Sequence, residues 1–156
     1  MIKLPIGVDI NNLIDDLKNF SWEAADILLH YSNLLKKSGF KTNIIKNDDR
    51  KDPVTIADLE VNDLILKRMR CKYPNIGWKY LSEENAKVDP NICDINSDWV
   101  WIFDPLDGTK DFIQGTGNYA MHLALNFKNK PFLGVVLIPE RDELWIANGE
   151  RVWCER

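Results

Sequence analysis

Residues 99–112, WVWIFDPLDGTKDF, decide how this chain is read. The apolar run Trp99-Val100-Trp101-Ile102-Phe103 predicts a buried β-strand, and it ends in two aspartates, Asp104 and Asp107, three positions apart. Pro105 fixes its own φ and pushes Asp104 toward an extended conformation, while Gly108 permits a tight turn, so both carboxylates can face one point. Carboxylates held that close repel one another unless a cation lies between them. A hard divalent ion with oxygen ligands, Mg²⁺, is the economical expectation. The next residues, Gly108-Thr109-Lys110-Asp111-Phe112, can open a helix whose free N–H groups suit an anion such as phosphate. On local grounds alone, Asp107 and Thr109 could instead cap that helix, with Asp104 in an Asx-type turn.

Upstream, Trp78-Lys79-Tyr80-Leu81 reads as a short strand that delivers Glu83 and Glu84, and adjacent strand ends would bring these carboxylates to the aspartates. Earlier still, Ile10, Leu13, Ile14 and Leu17 fall at i, i+3, i+4, i+7. Ala24, Leu28, Tyr31 and Leu35 continue the stripe toward Gly39, which predicts a long amphipathic helix with His30 as a surface or packing residue. A second helix follows Pro53-Val54-Thr55, with Val61, Leu64, Ile65 and Met69 as its buried stripe, and ends near Tyr73-Pro74. Thr55 and Asp58 stand where side chains cap helix starts. Phe40 to Lys51 is polar and charged and reads as a loop or hairpin that could carry Lys46 or Lys51 to a phosphate; Asn85 to Asp98 reads as a plain loop.

Downstream, Tyr119, Met121, Leu123, Leu125 and Phe127 alternate with Ala120, His122, Ala124 and Asn126, the pattern of a strand with two unlike faces. Turns at 128–131 and 139–142 separate it from strands at Phe132–Ile138 and Leu144–Ile146, with one more at Arg151–Cys154. Consecutive hairpins predict an antiparallel meander. With two long helices on one face, the expected fold is α+β, a layered α/β sandwich formed by residues 1–156 as a single domain.

At 45% hydrophobic and 28% charged, the chain has the composition of an ordinary globular domain, with no apolar run long enough to span a membrane. Its net charge of −4 disfavours a nucleic acid polymer as partner and allows a small phosphorylated metabolite bound through metal. Cys71, Cys93 and Cys154 form no C-x-x-C pair, and MIKLPIGVDINN has no secretory leader pattern, so reduced thiols in the cytoplasm are expected.

The D-x-D-G-T pattern of haloacid-dehalogenase-like phosphatases also follows an apolar strand, but its aspartates are two positions apart and those of this chain are three apart, across Pro105. DPLDGTKDF instead resembles the D-P-[IL]-D-G-T signature of the inositol monophosphatase superfamily. Asp52-Pro53-Val54-Thr55-Ile56-Ala57-Asp58 is similar to that family's D-x-V-T-x-x-D segment, and Leu81-Ser82-Glu83-Glu84 to its [GS]-E-E segment, in the same order. Ser82 and Lys110-Asp111 look more like the 3′(2′),5′-bisphosphate nucleotidases of sulfur assimilation than like inositol monophosphatases proper.

The resemblance implies Mg²⁺-dependent hydrolysis of a phosphate monoester, with the 3′-phosphate of 3′-phosphoadenosine 5′-phosphate as the expected target. It implies Glu83, Asp104 and the Leu106 carbonyl as ligands of a first metal, and Asp104 with Asp107 as ligands of a second. It pairs Thr109 with Asp58 to orient the attacking water, and gives the Gly108 and Thr109 amides to the phosphate. Family members run to roughly twice this length, and the W-D segment of their C-terminal half, whose aspartate completes the second metal shell, has no counterpart within 1–156. The chain therefore reads as an N-terminal metal-binding half, suited to a homodimer or to association with a C-terminal half. Inositol monophosphatase-type activity, and a truncated, catalytically weak metal- or phosphate-binding remnant, are the alternatives.

Overall fold

The computed structural model describes residues 3–37, 45–46, 54–88 and 97–156. Asp9 opens helix α1 (Ile10–Lys36) by accepting the amides of Asn11 and Asn12 at 3.0 and 2.9 Å, which satisfies donors that the first helical turn leaves unpaired. Leu13, Leu17, Ala24, Leu28 and Leu35 are buried along one side of α1, as their spacing requires. Helix α2 (Ile56–Lys72) begins at Thr55 with a capping box and buries Val61, Ile65 and Met69. The two helices pack against each other and together cover one face of a sheet. Among the described residues, no helix is long and apolar enough to cross a membrane.

That sheet has six strands in sequence order: β3 (Lys79–Ser82), β4 (Trp99–Asp107), β5 (Ala120–Phe127), β6 (Lys130–Ile138), β7 (Glu143–Ala147) and β8 (Val152–Glu155). A separate two-stranded piece pairs β1 (Ile45–Lys46) with β2 (Val54–Thr55), and short helices α3 (Glu83–Val88) and α4 (Thr109–Gln114) follow β3 and β4. The molecule is thus two long helices layered on one side of a mixed sheet, an α+β sandwich.

From β4 to β8 the strands form the expected antiparallel meander, but β3 runs parallel to β4. The link between β3 and β4 is no hairpin: α3 and the residues up to 98 give it the length that a parallel return needs. The β5–β6 hairpin is tighter than the 128–131 turn read from sequence. Lys128 and Asn129 both adopt positive φ, 49° and 62°, the two-residue geometry that matches strand twist, and β6 starts at Lys130. Strand β4 runs four residues past the apolar segment, carrying Pro105 inside it. The register shifts between Asp104 and Asp107, and such a bulge tolerates a residue without an N–H.

The alternation along β5 sorts the sheet's faces. Met121, Leu123 and Leu125 are buried against the helices with Trp101, Phe103, Leu133, Val135 and Leu137. Ile102 and Trp145 stand on the opposite face, 42% and 40% exposed. Lys51, Cys93, Gly39 and most of the loops at Phe40–Lys51 and Asn85–Asp98 lie outside the described residues.

Phe112 fastens α4 to this core: it is fully buried and meets Tyr119 edge to face, centroids 4.8 Å apart. Phe112→Ala is expected to cost about 3–5 kcal/mol of unfolding free energy. Urea denaturation checks this, and a loss under about 1 kcal/mol would mean that α4 is not anchored through this ring.

Candidate metal centre

Register places the carboxylates. Parallel pairing aligns Ser82 with Phe103, so Glu83, the first residue of α3, comes beside Asp104 on β4. Burial pushes the Asp104 carboxyl up to about 7, and the charge of Glu83 together with a hydrogen bond between the two side chains pushes in the same direction. Asp104 also accepts the Leu106 amide at 3.1 Å, an Asx-type turn that holds one oxygen in place and works against the shift. Asp107 adds further negative charge from across the bulge. A hydrogen bond between two carboxyls needs a proton on one of them, and a divalent cation can replace that proton and remove the repulsion. The donor set therefore fits the ion that the sequence implies: three carboxylates and the Leu106 carbonyl, all oxygen. Among the described residues no three His, Cys, Asp or Glu side chains already stand at ligand distance of one point. Glu83 is exposed and the Asp107 side chain is 60% exposed, so both can rotate toward a cation.

Gly108 turns the chain from β4 into α4 at φ 83°. A Cβ there would sit 2.7 Å from the Asn118 carbonyl oxygen, so the turn needs glycine for space as well as for conformation. The 117–119 segment against which it packs is tied down by Glu140, which accepts hydrogen bonds from Ser32 at 2.7 Å, Lys36 at 3.0 Å and Tyr119 at 3.1 Å.

Thr109 and Asp58 take other partners than each other. The Thr109 hydroxyl donates to the Leu106 carbonyl at 3.0 Å. The Asp58 carboxylate accepts both the amide, at 2.8 Å, and the hydroxyl of Thr55, while Thr55 Oγ1 accepts the Asp58 amide at 3.3 Å. The Thr109–Asp58 pairing implied by the resemblance is not among these hydrogen bonds. Thr55 lies one turn away on the same helix start and satisfies the carboxylate locally, with little ordering cost. Asp58 is 2% exposed, and burial raises its carboxyl to about 6, opposed by the Thr55 hydrogen bonds and reinforced by the charge of buried Glu84.

Glu84, read from sequence with Glu83 as a carboxylate delivered toward Asp104 and Asp107, and His122, read only as part of the β5 alternation, have neighbours that sequence did not give. Glu84 faces Asp58 from within the core, which only the packing of α3 onto α2 reveals. His122 lies opposite Asp104 in the β4–β5 register, its Nε2 3.9 Å from Asp107 Oδ2. Its place on the unlike face of β5 was legible, but its neighbours were not. A hollow of about 590 Å³ on the face away from the long helices is lined by Leu81, Ile102, His122, Ala124 and Val136, with Glu83 and Asp104 also in its wall.

Asp58 and Asp104 both have carboxyls raised above the ordinary value of 3.8, so the folded state favours their protonated forms. Their contribution is fully present below about pH 4 and is lost as pH rises through about 6 and then 7. Urea midpoints of the metal-free chain are expected to fall across that window, with a divalent cation restoring stability at its upper end. Asp104→Asn should flatten the later part, and an unchanged profile in that variant would overturn the assignment. Gly108→Ala is expected to cost at least about 2 kcal/mol by the same measurement.

Comparison with known proteins accords with this fold. Residues 13–156 match the model of the inositol monophosphatase family. The 3′(2′),5′-bisphosphate nucleotidase CysQ of Salmonella typhimurium is 38% identical over 112 residues, covering 70% of this chain and 42% of that protein. CysQ of Escherichia coli (strain K12) is 30% identical over 145 residues, 92% of this chain and 54% of its own. The extragenic suppressor protein suhB from Bartonella henselae shares the fold at a TM-score of 0.73 and 23% identity, over 92% of this chain and 52% of that one. The chain therefore spans about half the length of the relatives it matches. The chain belongs to the inositol monophosphatase family.

Proposed function

We propose that this chain carries the catalytic metal centre of a phosphate monoester hydrolase acting on the 3′-phosphate of 3′-phosphoadenosine 5′-phosphate. The observation that carries the reading is the convergence of Glu83 and Asp104 at two parallel strand ends, where burial and mutual repulsion call for a cation. The substrate class is supported by similarity to the CysQ nucleotidases. Glu83, Asp104, the Leu106 carbonyl and Asp107 would hold Mg²⁺. Bound there, the ion supplies Lewis acidity toward a phosphoryl oxygen and makes water a better nucleophile.

The chain's own groups do the rest. The Gly108 and Thr109 amides, at the turn into α4, hold phosphoryl oxygens and stabilise charge that grows during displacement. The Thr109 hydroxyl, beside the Leu106 carbonyl, orients the attacking water. Asp58 is the buried carboxyl that backs proton acceptance, its raised affinity for a proton bringing it near the working range. Free Cys71 and Cys154 accord with a reducing, cytoplasmic setting.

A second reading is a metal- and phosphate-binding half that turns over only when a further unit, a second copy or a C-terminal half, covers the open face of the sheet. The exposure of Ile102 and Trp145 on that face favours it, as does the half-length coverage of the relatives.

Phosphate release from 3′-phosphoadenosine 5′-phosphate, inositol 1-phosphate and fructose 1,6-bisphosphate, with and without Mg²⁺, tests these readings. The expected result is Mg²⁺-dependent turnover with the nucleotide preferred, reduced at least about 100-fold in Asp104→Asn. A folded, Mg²⁺-binding chain without turnover on any of the three would favour the second reading. Turnover unaffected by Asp104→Asn would overturn the centre itself.

A further inference from the structure

Arg141 is a cation without a partner at the carboxylate end of the sheet. It ends the 3-10 turn Pro139–Arg141 between β6 and β7. The pairings of Asp107 with Ala120, Met121 with Leu137 and Ile138 with Glu143 bring that turn to the sheet end where β4 delivers Asp107 and the chain enters α4. The turn is held in place, since Pro139 is buried and the Asp142 amide donates to the Pro139 carbonyl at 3.1 Å. Nearby carboxylates are already taken. Glu140 accepts from Ser32, Lys36 and Tyr119, and Glu143 accepts from Arg156 at 2.8 Å and from the Trp145 indole at 3.1 Å. Among the described residues no hydrogen bond or ion pair engages the Arg141 guanidinium. A hollow of about 250 Å³ opens beside it, walled by Asp107, Asn118, Tyr119 and Ile138, with Arg141 as its one cationic residue among those described.

We propose that this hollow is a second anion subsite, in which Arg141 holds the 5′-phosphate of a nucleoside bisphosphate whose 3′-phosphate lies at the carboxylate centre. The inference rests on the phosphatase reading and names the residue that tells a bisphosphate from a monophosphate. Asp107 belongs both to the carboxylate cluster and to the wall of the hollow, so the two sites adjoin. The hollow is smaller than the about 300–1,000 Å³ of pockets that enclose a whole drug-sized ligand, and suits a phosphate with its ribose. A guanidinium offers phosphate two parallel N–H donors, and one with no other acceptor gives up no ion pair to do so. Charge argues the same way. In a chain of net charge −4, a ligand with two phosphates needs a cation for each, and the divalent ion at the carboxylates serves only the first. A ligand with a single phosphate leaves Arg141 unused, so the residue adds affinity for bisphosphates alone.

Phosphorus NMR tests this without relying on activity, because the 3′- and 5′-phosphates of 3′-phosphoadenosine 5′-phosphate give separate resonances and any released phosphate gives a third. The full chain, Arg141→Gln and Lys130→Gln are titrated with that nucleotide and with adenosine 3′-monophosphate, with and without Mg²⁺. Lys130 begins β6 at the opposite end of the sheet, so its variant removes one positive charge at a distance from the hollow. Circular dichroism establishes that the variants fold. Both resonances are expected to respond in the unaltered chain with Mg²⁺. Arg141→Gln should weaken the bisphosphate at least about 10-fold, with the 5′ response shrinking most, while the monophosphate changes less than about 3-fold. Lys130→Gln should leave both affinities within about 3-fold. Mg²⁺-dependent binding in which Arg141→Gln weakens neither ligand, or both alike, would overturn the subsite and leave the metal centre standing. A 5′ response that needs Arg141 but not Mg²⁺, with no 3′ response, would support the subsite and overturn the phosphatase reading. A folded chain that binds neither ligand would overturn both.

Discussion

The placement of Glu83 beside Asp104 is the constraint on which the rest of this molecule depends. Bringing two carboxyls together in a half-buried site opposes folding unless a proton or a cation compensates, and burial has already raised Asp104 to about 7. The fold holds them there through backbone pairing. Parallel β3 and β4 end at the same level, and the hydrogen-bond ladder fixes that level. The ladder sets that level, and the hydrogen bond between the two side chains follows from it.

Packing makes this tolerable. One face of the sheet is buried by α1 and α2, whose apolar stripes meet Trp101, Phe103, Met121, Leu123 and Leu125, so β4 cannot slide by one residue without turning its core side chains outward. The irregular backbone of β4 is confined to its last residues. Pro105 sits in the bulge, Gly108 turns at positive φ against the Asn118 carbonyl, and Phe112 anchors the helix that follows. Glu140 ties α1 to the segment behind Gly108, so the turn is supported from the far side as well. Carboxylate geometry thus rests on a rigid strand and a clamped turn, which is what a metal site requires of its scaffold.

The opposite face is built differently. Ile102 and Trp145 stand in the open there, and the hollow bordered by Leu81, His122 and Val136 runs up to Glu83 and Asp104. The carboxylate end of β4 therefore adjoins an apolar surface, while the polar network of Asp58, Thr55 and Glu84 is enclosed on the helix side.

Local chemistry alone was enough for the long helices, because a 3.6-residue stripe such as Leu13-Leu17-Ala24-Leu28 has one way to be buried. It was enough for the two unlike faces of β5, and for the Asp104-Pro105-Leu106-Asp107-Gly108-Thr109 turn, whose proline and glycine each restrict the backbone on their own. Other features depended on which segments meet. The hairpins after β4 suggested antiparallel pairing throughout, but β3 returns parallel, since the long 83–98 connection carries no local signal of its direction. Asp58 takes Thr55 as its hydrogen-bond partner because a helix start satisfies its own carboxylate, while Thr109 bonds the Leu106 carbonyl. The approach of His122 to Asp107, and of Glu84 to Asp58, comes from registers and packing between distant segments, set by the burial of the whole sheet face rather than by any residue's neighbours in the chain.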